Sequence, residues 1–106
     1  MTYYVYMLRC ADHSLYTGLT NNVLRRMKEH FEGSPKAAKY TLNHHPVKLE
    51  ALWKCETRKQ AAKLEYHIKQ LSKTKKEQLI DDNEMFHQIL DKLKVEDYQR
   101  TSIDET

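Results

Sequence analysis

Residues 2–10, Thr-Tyr-Tyr-Val-Tyr-Met-Leu-Arg-Cys, are apolar, aromatic or β-branched at nearly every position, on both alternating faces. A strand with two apolar faces is covered on both sides, so this segment predicts a central strand. Ala11-Asp12-His13-Ser14 reads as a turn and residues 15–20 as a second strand, which makes a hairpin. Gly18 falls inside that second strand, where glycine is unfavourable unless a ligand or another backbone must come close. The period then lengthens to that of a helix. Val23, Leu24, Met27 and Phe31 form its stripe, Asn21-Asn22 can cap its start, and Gly33 stops it. Residues 34–46 carry no period and predict a loop, unusually long for a small domain and of the kind that is often functional. Val47, Leu49, Ala51, Trp53 and Cys55 alternate with polar positions as a third strand. Thr57 then caps a second helix with Ala61, Leu64, Ile68 and Leu71 on its buried face. A helical turn is expected near residues 75–80, and a last helix near 84–93, where Phe86, Ile89, Leu90 and Leu93 share a face. The final ten residues predict a frayed end. The pattern thus gives three strands interleaved with helices, an α+β protein with an extra C-terminal helix. It divides into a body, residues 1–80, and an acidic C-terminal extension, residues 81–106, made of that short helix and a frayed tail.

Composition narrows the classes. The chain has 106 residues, one domain's worth, enough to bury a core without a metal or disulfide staple. No segment approaches the ~18–20 apolar residues of a membrane span, and Arg9 interrupts the one candidate for a secretory leader. The expectation is a cytoplasmic protein with no membrane partner. Its two cysteines, Cys10 and Cys55, form no CxxC pair, which excludes zinc-ribbon spacing. They are expected as small buried strand residues. Charge is unevenly spread: residues 1–80 hold 15 Lys/Arg against 7 Asp/Glu, and residues 81–106 hold 3 against 8. A basic body suits a polyanionic partner such as nucleic acid, although charge alone fits a solvated surface equally well.

Three groups of residues carry candidate chemistry. Tyr6 and Tyr16 lie on the two hairpin strands; Arg26 and His30 are four apart on one face of the first helix; Glu65 borders the buried stripe of the second. Each has a simpler reading when taken singly. Tyrosine is an ordinary strand residue, the Arg–His pair could be a solvated face, and Glu65 could pair with Lys69. Taken together they compose a phosphodiester site. Arginine grips phosphate through its planar fork, a carboxylate holds a hard divalent cation, and tyrosine or histidine moves a proton. With one carboxylate in view, a single metal is the natural proposal.

The ordered set Tyr4-Val5-Tyr6, Tyr16-Thr17-Gly18, Arg26, His30 and Glu65 resembles the GIY-YIG nuclease family. Its flanks, with Ala38-Lys39-Tyr40-Thr41 and His45-Pro46-Val47, are similar to the small stand-alone bacterial members of the UPF0213 type, over about residues 3–80. The resemblance implies a three-stranded antiparallel sheet flanked by helices in residues 1–80. It also implies a metal-dependent endonuclease acting on nucleic acid, DNA more than RNA. By position, Tyr6 and Tyr16 take the places of the two motif tyrosines, Gly18 that of the second motif's glycine, and Arg26 that of the phosphate-binding arginine. His30 falls where relatives carry His or Tyr, and Glu65 where they bind Mg²⁺ or Mn²⁺. Thr17 replaces the second motif's isoleucine, and Leu19 stands where the excision-repair branch has lysine. Lys36, Lys39 and Tyr40 of the long loop, with Lys75 and Lys76, are the candidates for contact with the substrate backbone. A chain this short has little room for a specificity module, so a protein partner supplying specificity is expected. The alternative is a nucleic-acid-binding module that does not cleave.

Overall fold

A computed structural model describes residues 2–105 of the chain. The first strand, β1 (Tyr3–Cys10), lies inside the sheet. It pairs antiparallel with β2 (Leu15–Thr20) on one side and with β3 (Pro46–Cys55) on the other. This is why both its faces are apolar. One face carries Val5 and Met7 into a large core with Ala51, Trp53, Ala61, Leu64 and Ile68; the other carries Tyr6 and Leu8 into a smaller one with Val23, Met27 and Leu52. Both cysteines are buried and free, as expected of small strand residues.

Helix α1 (Val23–Phe31) starts where predicted: the Asn22 side chain accepts a hydrogen bond from the Arg25 backbone N–H. Helix α3 (Arg58–Lys69) opens on a capping box in which Thr57 and Gln60 each satisfy the other's backbone donor. Its Ala61, Leu64 and Ile68 reach the large core. Helix α4 (Lys73–Asp81) follows, capped by Ser72, and begins two residues before the turn expected from the pattern.

Four features depart from the pattern. First, the segment expected as a loop contains a short helix, α2 (Lys39–His44), ended by His45 in the left-handed region. Its Thr41 is buried by tertiary contacts, which no local periodicity reports. Second, Leu24 and Phe31 of α1 face solvent, at 63% and 42% exposure, while His30 takes the inward place at 1%. The helix meets the sheet along a narrower strip than its apolar residues suggest. Third, the expected helix over 84–93 is broken into a 3-10 turn (Asn83–Met85) and one helical turn, α5 (Phe86–Ile89). Phe86, Leu90 and Leu93 are still buried, and the break places Asn83 where its side-chain oxygen accepts from the Trp53 indole N–H, 2.9 Å away.

Fourth, the sheet has four strands, in the order β2-β1-β3-β4. The end expected to fray supplies β4 (Gln99–Thr101), paired antiparallel with Leu52, Trp53 and Lys54 of β3. Three residues are too few to show alternation; their anchors are tertiary. The Tyr98 hydroxyl donates to the Gln60 carbonyl at 2.8 Å. The Arg100 guanidinium lies over the Trp53 ring and donates to the carbonyls of Leu79 and Ile80. No helix among the described residues is long and apolar enough to cross a membrane.

Candidate active site

The pairing of β1 with β2 sets Tyr6 opposite Gly18. A Cβ at position 18 would lie 2.5 Å from the Tyr6 hydroxyl oxygen and 3.1 Å from the Tyr16 ring. The glycine therefore makes room for the phenol of the neighbouring strand. Tyr6 is buried, and its ring packs 6.3 Å from that of Tyr16 and 5.5 Å from His30 of α1; Tyr16 and His30 are 5.6 Å apart. The three rings meet where the smaller core opens to the surface, since Tyr16 remains half-exposed.

His30 uses both ring nitrogens. Nε2 is 2.7 Å from the Tyr6 hydroxyl, and Nδ1 is 2.8 Å from the hydroxyl of Thr41 on α2. Burial, helped by the Arg26 charge and opposed by Glu29, brings its pKa down to about 4, so the imidazole is neutral near pH 7. Burial also raises Tyr6 and Tyr16 above the usual tyrosine range, against the pull of the Arg26 guanidinium. Arg26 is steered by two contacts from one nitrogen, to the Glu29 carboxylate at 2.9 Å and to the Lys36 carbonyl at 2.7 Å. Burial works against its charge, and Glu29 and Tyr6 more than compensate.

Glu65 comes from α3, which packs chiefly on β2 and β1. It is half-buried, and its charge acts on both Tyr6 and Tyr16. One turn on, the Lys69 ammonium sits 3.6 Å from the Glu65 carboxylate and 5.9 Å from the centre of the Tyr16 ring. The structure thus brings Tyr6, Tyr16, Arg26, His30 and Glu65 into one neighbourhood from four elements. The loop candidates separate. Tyr40 stacks between Tyr16 and His44, which in turn pairs with Asp12 at 2.6 Å. Lys36 and Lys39 are exposed, and Lys36 touches the group through its carbonyl.

Two features were given no part in the site from the sequence. Thr41 is one, a buried hydroxyl in an apparent loop. The other is a hollow of about 330 Å³ beside Arg26, lined also by Arg25, Arg58, Asn21 and Tyr3. Glu29 lines the hollow too and feels the Arg25 charge, while no carboxylate among the described residues comes within ion-pair distance of Arg25 or Arg58. Arg58 is 32 residues from Arg26, so only folding could reveal the cluster. Among the described residues no three His, Cys, Asp or Glu side chains form a metal cage. Glu65, half-buried and with its charge felt by both phenols, fits a hard cation that takes most of its ligands from water and substrate.

Residues 2–78 match the GIY-YIG catalytic domain, and the chain belongs to this family of nuclease-type domains. Within the family its similarity is to the UPF0213 proteins. It is 46% identical over 86 residues to one from Fusobacterium nucleatum, covering 81% of this chain and 84% of that one. It is 48% identical over 80 residues to one from Halalkalibacterium halodurans, covering 76% and 83%. The solution NMR structure of a UPF0213 protein from Bacillus halodurans superposes with a TM-score of 0.50 at 46% identity, over 76% of this chain and 84% of that one.

Proposed function

We propose that the protein is a divalent-cation-dependent endonuclease that hydrolyses phosphodiesters of nucleic acid, DNA in preference to RNA, through a single-metal site. The observation that carries this is the contact of Tyr6, Tyr16 and His30 within the fields of Arg26 and Glu65. Arg26, already oriented by Glu29 and Lys36, binds a non-bridging phosphate oxygen and stabilises the charge that grows on it. Glu65 is the residue that would hold Mg²⁺ or Mn²⁺, which supplies positive charge to the scissile phosphate and its leaving oxygen when bound. Lys69 must give up its contact with Glu65 when a cation arrives.

Tyr6 is no standing base, because burial holds its proton more tightly than in a free phenol. Its oxygen instead orients the attacking water while its own proton points at His30 Nε2. Tyr16, half-exposed beside it, donates to the phosphate. The hollow of Arg25 and Arg58 extends the phosphate track from Arg26 along the strand. A protein partner would supply the specificity that this domain does not build for itself.

Labelled single-stranded, duplex and branched DNA, and RNA, incubated with Mg²⁺ or Mn²⁺, test the reading. Wild type is expected to cut, and Glu65→Ala and Arg26→Ala to lose at least ~100-fold in rate, the scale on which a transition-state charge is stabilised. Cutting that survives Glu65→Ala would overturn it. Salt-sensitive binding without cutting by wild type would leave the non-cleaving module.

A further inference from the structure

Thr41 has been given no role in the chemistry so far, yet it is 2% exposed and touches the centre of the site. Three short contacts run in series. Tyr6 Oη is 2.7 Å from His30 Nε2, His30 Nδ1 is 2.8 Å from Thr41 Oγ1, and Thr41 Oγ1 donates to the Ala38 carbonyl at 2.9 Å. A neutral imidazole has one donor and one acceptor nitrogen. The Thr41 proton is committed to Ala38, so its oxygen must accept from His30 Nδ1–H. Nε2 then carries the lone pair and accepts from the Tyr6 phenol. The opposite tautomer would require Thr41 to donate to Nδ1, leaving two oxygens, Thr41 Oγ1 and Ala38 O, facing each other at 2.9 Å with no hydrogen between them. The Ala38 carbonyl also accepts the Leu42 N–H at 3.1 Å, but only the first arrangement places a hydrogen in each of the three short contacts.

We propose that Thr41 is a positioning residue: its hydroxyl locks His30 in the Nδ1–H tautomer, so that the bare Nε2 can take a proton through Tyr6. The inference rests on the nuclease reading for its catalytic meaning, although the tautomer itself does not. As water attacks phosphorus, its oxygen forms the new P–O bond and the bond to the leaving oxygen breaks. One water proton passes to Tyr6 Oη while the phenol's proton crosses to Nε2; the leaving oxygen takes its proton from solvent. His30 ends as an imidazolium with Nδ1–H still on Thr41, and then releases its proton to solvent. The groups facing this imidazole are Tyr6 of β1, Tyr16 of β2, Arg26 and Glu29 of α1, and Thr41 of α2. The α2 turn brings one hydroxyl under His30 and one ring, Tyr40, against Tyr16.

Long-range ¹H–¹⁵N NMR of the imidazole nitrogens, with His30→Gln to assign its signals, tests the lock without reference to activity. Wild type and Thr41→Ser should show a protonated Nδ1 and a bare Nε2 at pH 7. Thr41→Val, nearly equal in shape, should lose that pattern. On a substrate the wild type cuts, it should turn over at least ~10-fold more slowly, less than the ~100-fold or more of a general acid–base group itself because Thr41 acts through His30. Its affinity for uncut oligonucleotide should stay within about twofold of wild type, because no phosphate contact is removed. Thr41→Ser should restore turnover. A protonated Nε2 in wild type overturns the proposal even if Thr41→Val fails to fold; so does a Thr41→Val protein that keeps both the tautomer and the rate. Absence of cutting by wild type with the tautomer as stated would sink the nuclease reading and leave the lock standing.

Discussion

Single residues of the site divide by whether their chemistry is local. Thr17 lies in the second motif, and its buried hydroxyl has no hydrogen-bond partner. Replacing it with valine removes an unpaired polar group at almost constant volume. Thr17→Val should therefore stabilise the protein by about 1 kcal/mol, read as a higher midpoint in urea. Gly18→Ala should do the reverse. The new methyl group meets the Tyr6 hydroxyl at 2.5 Å, and the ring it displaces is hemmed in by Tyr16 and His30. A cost of about 2 kcal/mol and a large loss of cleavage are expected, because overpacking cannot relax here without breaking the Tyr6–His30 bond. His30 makes stability depend on pH. Its folded pKa is about 4 against an ordinary 6.5. Between those values the unfolded chain is protonated at this site and the native one is not, so protons favour unfolding. Stability should be full above about pH 6.5 and fall by roughly 2–3 kcal/mol as pH drops to 4. The fall attributable to this group disappears in His30→Gln, and denaturant midpoints measured across that range would show it.

Elements are joined here by a few charged ties as well as by core. Arg9 of β1 reaches Glu50 of β3 and Glu77 of α4 together, the latter through a two-pronged contact. Arg9 holds Glu77 below the ordinary carboxylate range, and the two acids hold the guanidinium more firmly protonated. The group is only partly exposed, so removing the cation takes Glu77's main partner and leaves Glu50 only the exposed Lys48, 3.4 Å away. Arg9→Ala should cost about 2 kcal/mol, less than a fully buried pair, and the loss should shrink in Glu50→Gln/Glu77→Gln protein. At this scale the strands β1, β2 and β3 and the helices α1 and α3 were legible from period and caps, since Asn22, Thr57 and Gln60 act within one turn of their own helix. Helix α2 and strand β4 were not. Thr41 and Tyr98 owe their burial to partners far along the chain, and a six-residue helix or three-residue strand has no period of its own.

The whole molecule places the site at one side of the sheet and the C-terminal segment at the other, because β2 and β4 are its opposite edges. Phe86, Leu90, Leu93 and Tyr98 belong to the same core as Val5, Met7 and Trp53, although the family match ends at residue 78. Deleting residues 82–106 would uncover Trp53 and Leu79, both fully buried, and should abolish cooperative thermal unfolding followed by circular dichroism. Electrostatics at this scale follows the guanidiniums. Arg25→Ala and Arg58→Ala should each lower the slope of log affinity against log salt by about 1, if the phosphate track runs through their hollow.

The chain by itself determined the hairpin, the long third strand, the two capped helices, and the ordered Tyr6, Tyr16, Arg26, His30 and Glu65 that mark the family. Those features depend on neighbours within a few residues, or on spacing that a motif preserves. Tertiary structure alone decided the fourth strand, the partnership of Thr41 with His30 and the meeting of Arg58 with Arg26. Each joins residues more than ten positions apart, and such contacts form only when burial in the folded molecule repays the entropy of closing the loop between them.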